Sequence, residues 1–124
     1  MKNDRIAIDT NILLYILGGN VELGDMLKGS VVVASAMVRM EALVYHGDDA
    51  GHLDKGRALL ERCSIEEMHR SIQDLAVDVR LRYGLKIPDA VIAASAFHLG
   101  IPLITADKSF ERLKPEFEVV IFDK

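Results

Sequence analysis

Ile6-Ala7-Ile8-Asp9-Thr10-Asn11 is a short apolar run that stops on a carboxylate and two small polar residues, and the apolar block Ile12 to Leu17 follows at once. A strand buried on both faces reads as an unbroken apolar run, and in open α/β sheets ligands gather beyond the carboxyl ends of such strands. Asp9 is thereby placed where chemistry is expected. Asp is also a favoured helix N-cap, so Asp9 taken alone reads equally well as a structural residue. Three further acidic positions downstream, each joined to similar apolar material, turn the reading towards a site.

Working outward, Arg5 to Asp9 reads as a first strand and Asn11 to Leu17 as a helix apolar on nearly every face, hence buried. After Gly18-Gly19-Asn20, Val21 to Lys28 is a short helix with Val21, Leu23, Met26 and Leu27 turned inward and Gly29 just past its end. The β-branched run Val31-Val32-Val33-Ala34, within Ser30 to Ser35, predicts a second strand. Met37, Met40, Leu43 and Val44 recur at helical spacing between Ala36 and Tyr45, reading as a core stripe, and Gly47-Asp48-Asp49 breaks that helix. A helix from about Gly51 to Cys63, weakened by Gly56, leads to a short strand near Ser64 to Met68. Arg70 to Tyr83 is amphipathic, with Ile72, Leu75, Ala76, Val79 and Tyr83 on one stripe, and Gly84 stops it. Pro88 suits the first turn of the next helix, apolar almost all round from Ala90 to Leu99 before Gly100. Ile101 to Thr105 reads as a strand, Lys108 to Leu113 as a helical turn and Glu118 to Phe122 as a last strand. Strands alternating with helices predict a three-layer α/β/α domain over residues 1–124, built on a mainly parallel sheet of four or five strands.

At 124 residues the chain has the length of one domain, with half its residues apolar and no apolar run near the roughly 18 that a membrane span needs. Met1 is followed by Lys2-Asn3-Asp4-Arg5 and only a few apolar residues before Asp9, so no signal peptide is expected and the location predicted is cytoplasmic. A single cysteine, Cys63, cannot close an internal disulfide and reads as a small helix or core residue beside Leu59, Leu60 and Ile65. The formal charge of −4 argues against a broad basic surface for nucleic acid, unless acidic groups converge on metal. Two divalent cations held by four carboxylates would bring that charge to zero. His46, His52, His69 and His98 have no metal-ligand spacing.

Four carboxylates sit at element junctions: Asp9 after the first strand, Glu41 one turn into the helix after the second, Asp89 beside Pro88, and Asp107 after Leu103-Ile104-Thr105. Glu41 lies among Met40, Ala42, Leu43 and Val44, and Asp89 between Ile87-Pro88 and Ala90-Val91-Ile92. Charge in such settings is costly unless paired or bound to a cation. Singly, Asp89 suits a helix dipole, Asp107 an N-cap and Glu41 a salt bridge to Arg39 or Arg80. Jointly they would repel one another at one sheet edge, and a hard divalent metal with oxygen ligands is the natural compensation.

These residues carry a family resemblance. Ile8-Asp9-Thr10-Asn11-Ile12-Leu13, then Glu41, then Lys86-Ile87-Pro88-Asp89-Ala90-Val91-Ile92-Ala93-Ala94, then Leu103-Ile104-Thr105-Ala106-Asp107-Lys108-Ser109-Phe110 resemble, in order and spacing, the four acidic motifs of PIN domains. Among these the chain is most similar to the VapC-type toxins of toxin–antitoxin pairs. Its departure is Met37-Val38-Arg39-Met40-Glu41-Ala42, which replaces the more usual Thr-containing lead into the glutamate. The resemblance implies a Mg²⁺- or Mn²⁺-dependent endoribonuclease whose metal site is Asp9, Glu41, Asp89 and Asp107, with Asn11 and Thr105 as supporting polar neighbours. It implies RNA as substrate, cut by in-line attack to 5′-phosphate and 3′-hydroxyl ends, a small antitoxin as partner, and a homodimer. Lys86 and Lys108, which adjoin the acidic motifs, are candidates for contact with RNA; Arg39 and Arg112 are weaker ones.

Three rivals define what the site should not look like. A haloacid-dehalogenase-like phosphatase wants a second Asp two residues after the first, where this chain has Asn11. A receiver domain wants paired acids in its first loop, whereas Asp9 is followed by Thr10-Asn11. A catalytically silent PIN-like module that binds RNA or protein would follow if Arg39 paired with Glu41 and blunted metal binding.

Overall fold

The structure, a computed structural model, describes residues 4–45, 47 and 49–123. Met1 to Asn3, His46, Asp48 and Lys124 lie outside the described residues, and with them the leader reading of the first three residues, the helix break at Asp48 and the reading of His46.

β1 (Arg5–Ile8) is followed by α1 (Thr10–Leu17), α2 (Val21–Leu27), β2 (Val31–Ser35), α3 (Ala36–Tyr45) and α4 (Ala50–Glu61). Then come β3 (Ser64–Glu66), α5 (Arg70–Tyr83), α6 (Ile87–Leu99), β4 (Leu103–Thr105), a 3₁₀ helix Lys108–Leu113 and β5 (Val119–Ile121). All pairings are parallel, and the five strands lie in the order β3-β2-β1-β4-β5. The expectation of a mainly parallel sheet of four or five strands thus resolves to five strands, all parallel.

Consecutive residues Ile6, Ala7 and Ile8 of β1 and Leu103, Ile104 and Thr105 of β4 are all buried. Side chains alternate across a strand, so burial without alternation means that both faces of the central sheet are covered. The chain leaves β1 for β2 on one side and returns to β4 on the other, which opens a crevice at their carboxyl ends. Ala7 and Ile8 pair with Leu103 and Ile104, so the ends of β1 and β4 come out level. Asp9 and Thr105 are the next residues on either side of that crevice.

The amphipathic reading of α5 holds, with Ile72, Ala76 and Val79 buried, and α6 buries every residue from Ala90 to Ala96. Both helices end on a left-handed glycine, Gly84 at φ 75° and Gly100 at φ 68°. Three packing expectations fail. Val21 is 74% exposed, because it is the first residue of α2; Leu23 and Leu27, one turn apart, are buried, and Met26 packs half-buried against the core. In α1 only Ile12 and Leu13 are buried; the rest of its apolar block is half-covered.

The stripe in α3 is out of phase with the one expected. Met37 and Leu43 of the expected stripe pack half-buried against the core, but the buried residues are Val38 and Ala42, while Met40 is 46% and Val44 81% exposed. The phase is fixed by Ser35, the last residue of β2, whose buried hydroxyl accepts the Val38 N–H at 3.1 Å and starts the helix with no intervening loop. Ser35→Ala removes that cap and is expected to cost about 1 kcal/mol. A thermal melt would read this as a Tm lower by roughly 3–5 °C.

Among the described residues no helix is long and apolar enough to cross a membrane. Cys63 is half-buried, its thiol donating to the Leu59 carbonyl, and burial pushes its pKa up, which makes it an unreactive packing residue.

Candidate functional site

Asp9 caps α1 and lines the candidate site. One carboxylate oxygen accepts the Ile12 N–H at 2.9 Å, and the other accepts the Thr105 hydroxyl, at the end of β4. The backbone N–H of Asp9 donates to the Ile104 carbonyl at 3.2 Å, which locks it to the same strand. Burial pushes its carboxyl above the ordinary range despite those hydrogen bonds, and the Asp107 charge adds to the rise.

Thr105 is fully buried and does more than orient Asp9. Its hydroxyl oxygen also accepts the Asp107 N–H at 3.0 Å, so one side chain ties the first acid to the last. Asp107 caps the 3₁₀ helix by accepting the Ser109 N–H at 2.9 Å. As at Asp9, the N-cap reading holds, and the same residue also lines the acidic pocket.

Glu41 enters from α3, and one of its oxygens accepts the Thr10 hydroxyl at 2.6 Å. Thr10 is the first residue of α1, so this bond spans from the β1 carboxyl end to α3. Neither Arg39 nor Arg80 makes an ion pair with Glu41 among the described residues. Arg39 turns away and lines a different pocket, which removes the ground for expecting it to neutralise Glu41.

Asp89 is the third residue of α6, after Pro88 in the first turn. Burial raises its pKa first, and the charges of Asp107, Glu41 and Asp9 raise it further, opposed by Lys86. The other three acids all act on this one group, and mutual repulsion of that kind requires convergence. The four carboxylates line one pocket of about 290 Å³ together with Thr10 and Asn11, while Leu14 and Ile92 supply apolar wall and the exposed Tyr45 stands at its edge.

Thr105 lies behind Asp9 rather than on the pocket surface, and Asn11 is exposed within the lining. Lys86, the N-cap of α6, and Lys108, first residue of the 3₁₀ helix, are exposed and flank Asp89 and Asp107 without lining the pocket. The sequence reading missed Thr10, Leu14, Tyr45 and Ile92. Thr10 had a signal, a hydroxyl between Asp9 and Asn11 in a first helical turn; the others read as ordinary apolar or surface positions.

As placed, no three His, Cys, Asp or Glu side chains among the described residues are gathered into a ligand set. The four acids share a pocket without closing on one point, the arrangement expected of like charges. The donor set is nevertheless that of a hard divalent cation: carboxylate oxygens only, two of them on Asp9 and Glu41 pre-oriented by hydroxyls. A phosphodiester could not approach four bare carboxylates, so any anionic substrate here requires cations.

The PIN domain family model matches residues 6–115. Among solved structures, a chain of a toxin–antitoxin complex from Klebsiella pneumoniae is 27% identical at a TM-score of 0.80, covering 93% of this chain and 95% of that one. A chain of VapBC2 from Rickettsia felis, bound to a DNA fragment from their promoter, reaches a TM-score of 0.84 at 19% identity, with 96% and 99% covered. VapBC-5 of Mycobacterium tuberculosis gives 0.73 at 18%, with 97% and 100% covered. At those last two identities the likeness is one of fold. No curated protein matches the chain. A family model that spans most of the chain, over a fold and a set of acidic junctions of the matching kind, identifies it: the chain belongs to the PIN domain family.

Proposed function

We propose that this chain is a Mg²⁺- or Mn²⁺-dependent endoribonuclease and the toxin of a VapBC-type toxin–antitoxin pair. The observation that carries the reading is that Asp9, Glu41, Asp89 and Asp107 line one pocket at the carboxyl edge of the sheet, and burial together with the other three charges holding the Asp89 carboxyl above its ordinary range supports it. Asp9, Glu41, Asp89 and Asp107 are the metal ligands in this proposal. When bound, the ions supply Lewis acidity and offset the charge that builds on phosphorus and on the leaving 3′ oxygen.

The chain's own residues hold that site ready. Thr105 and the Ile12 N–H fix Asp9, Thr10 fixes Glu41, and the Ser109 N–H fixes Asp107, leaving Asp89 as the acid whose side chain no hydrogen bond among the described residues anchors and which has the most freedom to adjust. Leu14 and Ile92 reduce the water around the carboxylates, which strengthens their hold on a cation. Lys86 and Lys108 flank the acids and attract the backbone of an RNA on either side of the scissile phosphate. A small antitoxin and a second copy of the chain complete the proposed assembly, in the cytoplasm.

The test is the chemistry of the ends. Purified protein with Mn²⁺ is expected to cut a mixed RNA pool to fragments with 5′-phosphates and 3′-hydroxyls, scored by direct ligation, and to leave the pool intact in EDTA. Fragments ending in 2′,3′-cyclic phosphate would reject the mechanism. Intact RNA under all conditions, with RNA still bound, would favour the silent module.

Thr10 makes a second prediction as a positioning residue. Thr10→Val leaves the fold intact but frees Glu41, so cleavage should drop roughly ten- to hundredfold, the worth of one hydrogen bond to a charged group. Thr10→Ser should restore it. A purely structural threonine would show the same loss with Ser as with Val, or no loss at all, and would leave the Mn²⁺ concentration for half-maximal rate unmoved.

A further inference from the structure

Helix α3 has a pocket on each side. Residues four apart share a helical face, and those two apart lie roughly 200° round it. Glu41 and Tyr45 line the acidic pocket, whereas Arg39 and Leu43 line a separate pocket of about 290 Å³ closed on its other side by α4 and β3. Its apolar lining is Leu60, buried, with Leu43, Cys63 and Ile65 half-buried; the exposed Arg39, Arg57 and Glu61 supply its polar lining. Among the described residues neither arginine makes an ion pair.

We propose that this second pocket binds an acidic, apolar-flanked segment of a protein partner, with one Asp or Glu side chain held between Arg39 and Arg57 and its apolar neighbours against Leu43, Leu60 and Ile65. Two guanidiniums against one carboxylate leave a net positive polar lining on a chain of formal charge −4, so a single negative group is drawn here against the field of the rest of the molecule. A guanidinium fork matches a carboxylate in shape and charge. The apolar lining needs a hydrocarbon partner, and Glu61 repels a polyanion; together they favour a peptide over a nucleic-acid backbone. The site stands apart from the acidic pocket and does not depend on catalysis there.

The test uses the full chain in EDTA and the blocked tetrapeptide acetyl-Leu-Asp-Leu-Leu-amide. Amide resonances of Leu43, Leu60, Cys63 and Ile65 are expected to shift saturably with peptide. Arg39→Gln, Arg57→Gln, or Asn for Asp in the peptide should each weaken binding about tenfold or more. Arg39→Lys, which keeps the charge but loses the fork, should fall between and covers the case of a poorly folded glutamine variant. Equal binding of the acidic and amide peptides, no saturable shift, or shifts confined to other residues would overturn the proposal. A hexamer RNA that moves the same resonances more tightly, or shifts that track protein concentration without peptide, would overturn it too, assigning the pocket to nucleic acid or to self-association.

Discussion

Asp9→Asn, Glu41→Gln, Asp89→Asn and Asp107→Asn are each expected to lower Mn²⁺-dependent RNA cleavage by about 10²–10³-fold, as the loss of one preorganised charge at a reacting centre does. The substitutions keep shape and remove one negative charge. Asn at position 9 can still accept the Ile12 N–H and start α1, and Asn at 107 can still accept from Ser109, so both caps survive in substance. Loss of activity with an unchanged circular dichroism spectrum therefore isolates the charge from the fold. The four effects should not add, because ligands of one centre act as a unit. A double variant that is as active as either single one would fit; a single variant retaining wild-type cleavage would remove that residue from the proposed centre.

The fold was legible from local signals that agreed with one another. The strands appeared as Ile6-Ala7-Ile8, buried throughout, and Val31 to Ala34, buried from Val33 on, the amphipathic stripe of α5 was readable residue by residue, and Gly84 and Gly100 marked two helix ends. Strand order was not legible: nothing in Leu103-Ile104-Thr105 says that it pairs with β1 rather than with β3, a choice made by tertiary packing. The phase of α3 was also hidden. An apolar pattern specifies which residues prefer burial, but the buried Ser35 cap sets where the helix begins, and the small Ala42 rather than the larger Met40 or Val44 faces the core.

The acidic positions could be picked out because carboxylates beside apolar runs are unusual and sit at sheet-edge junctions. The hydroxyls that hold them were harder. Thr105 was found as a neighbour of Asp107, yet its buried hydroxyl also reaches across the sheet to Asp9, a contact between residues far apart in the chain. Thr10 was overlooked because its partner Glu41 lies in another helix. Pairings of that range are set by strand register, which the sequence does not display.

Metal should decide stability as well as activity. In EDTA, Asp9 and Asp89 hold protons more tightly in the folded chain than in the unfolded one, chiefly through burial and then through their acidic neighbours. An acid whose folded pKa is raised makes stability fall as pH rises, from the ordinary carboxylate value of about 4 up through the raised value. Glu116, held low by Tyr83 and Arg82, acts oppositely and only below its ordinary value, so the interval above about pH 4.5 reports the pocket. The metal-free Tm should accordingly decline as pH rises above the ordinary carboxylate value of about 4, where exposed carboxylates are already ionised. Asp89→Asn should flatten that decline and melt a few degrees above wild type at pH 7. Mn²⁺ at roughly a hundred times its Kd should then stabilise wild type by about 2.7 kcal/mol, or roughly 10 °C, and the variant by much less. The order of the two proteins reverses between EDTA and Mn²⁺. Burial of charge, and after it repulsion among the four carboxylates, destabilises the bare pocket, and a bound cation offsets both, so the same residue that weakens the apo protein must strengthen the loaded one. Wild type melting at one temperature in EDTA and in Mn²⁺ would mean that these carboxylates hold no ion.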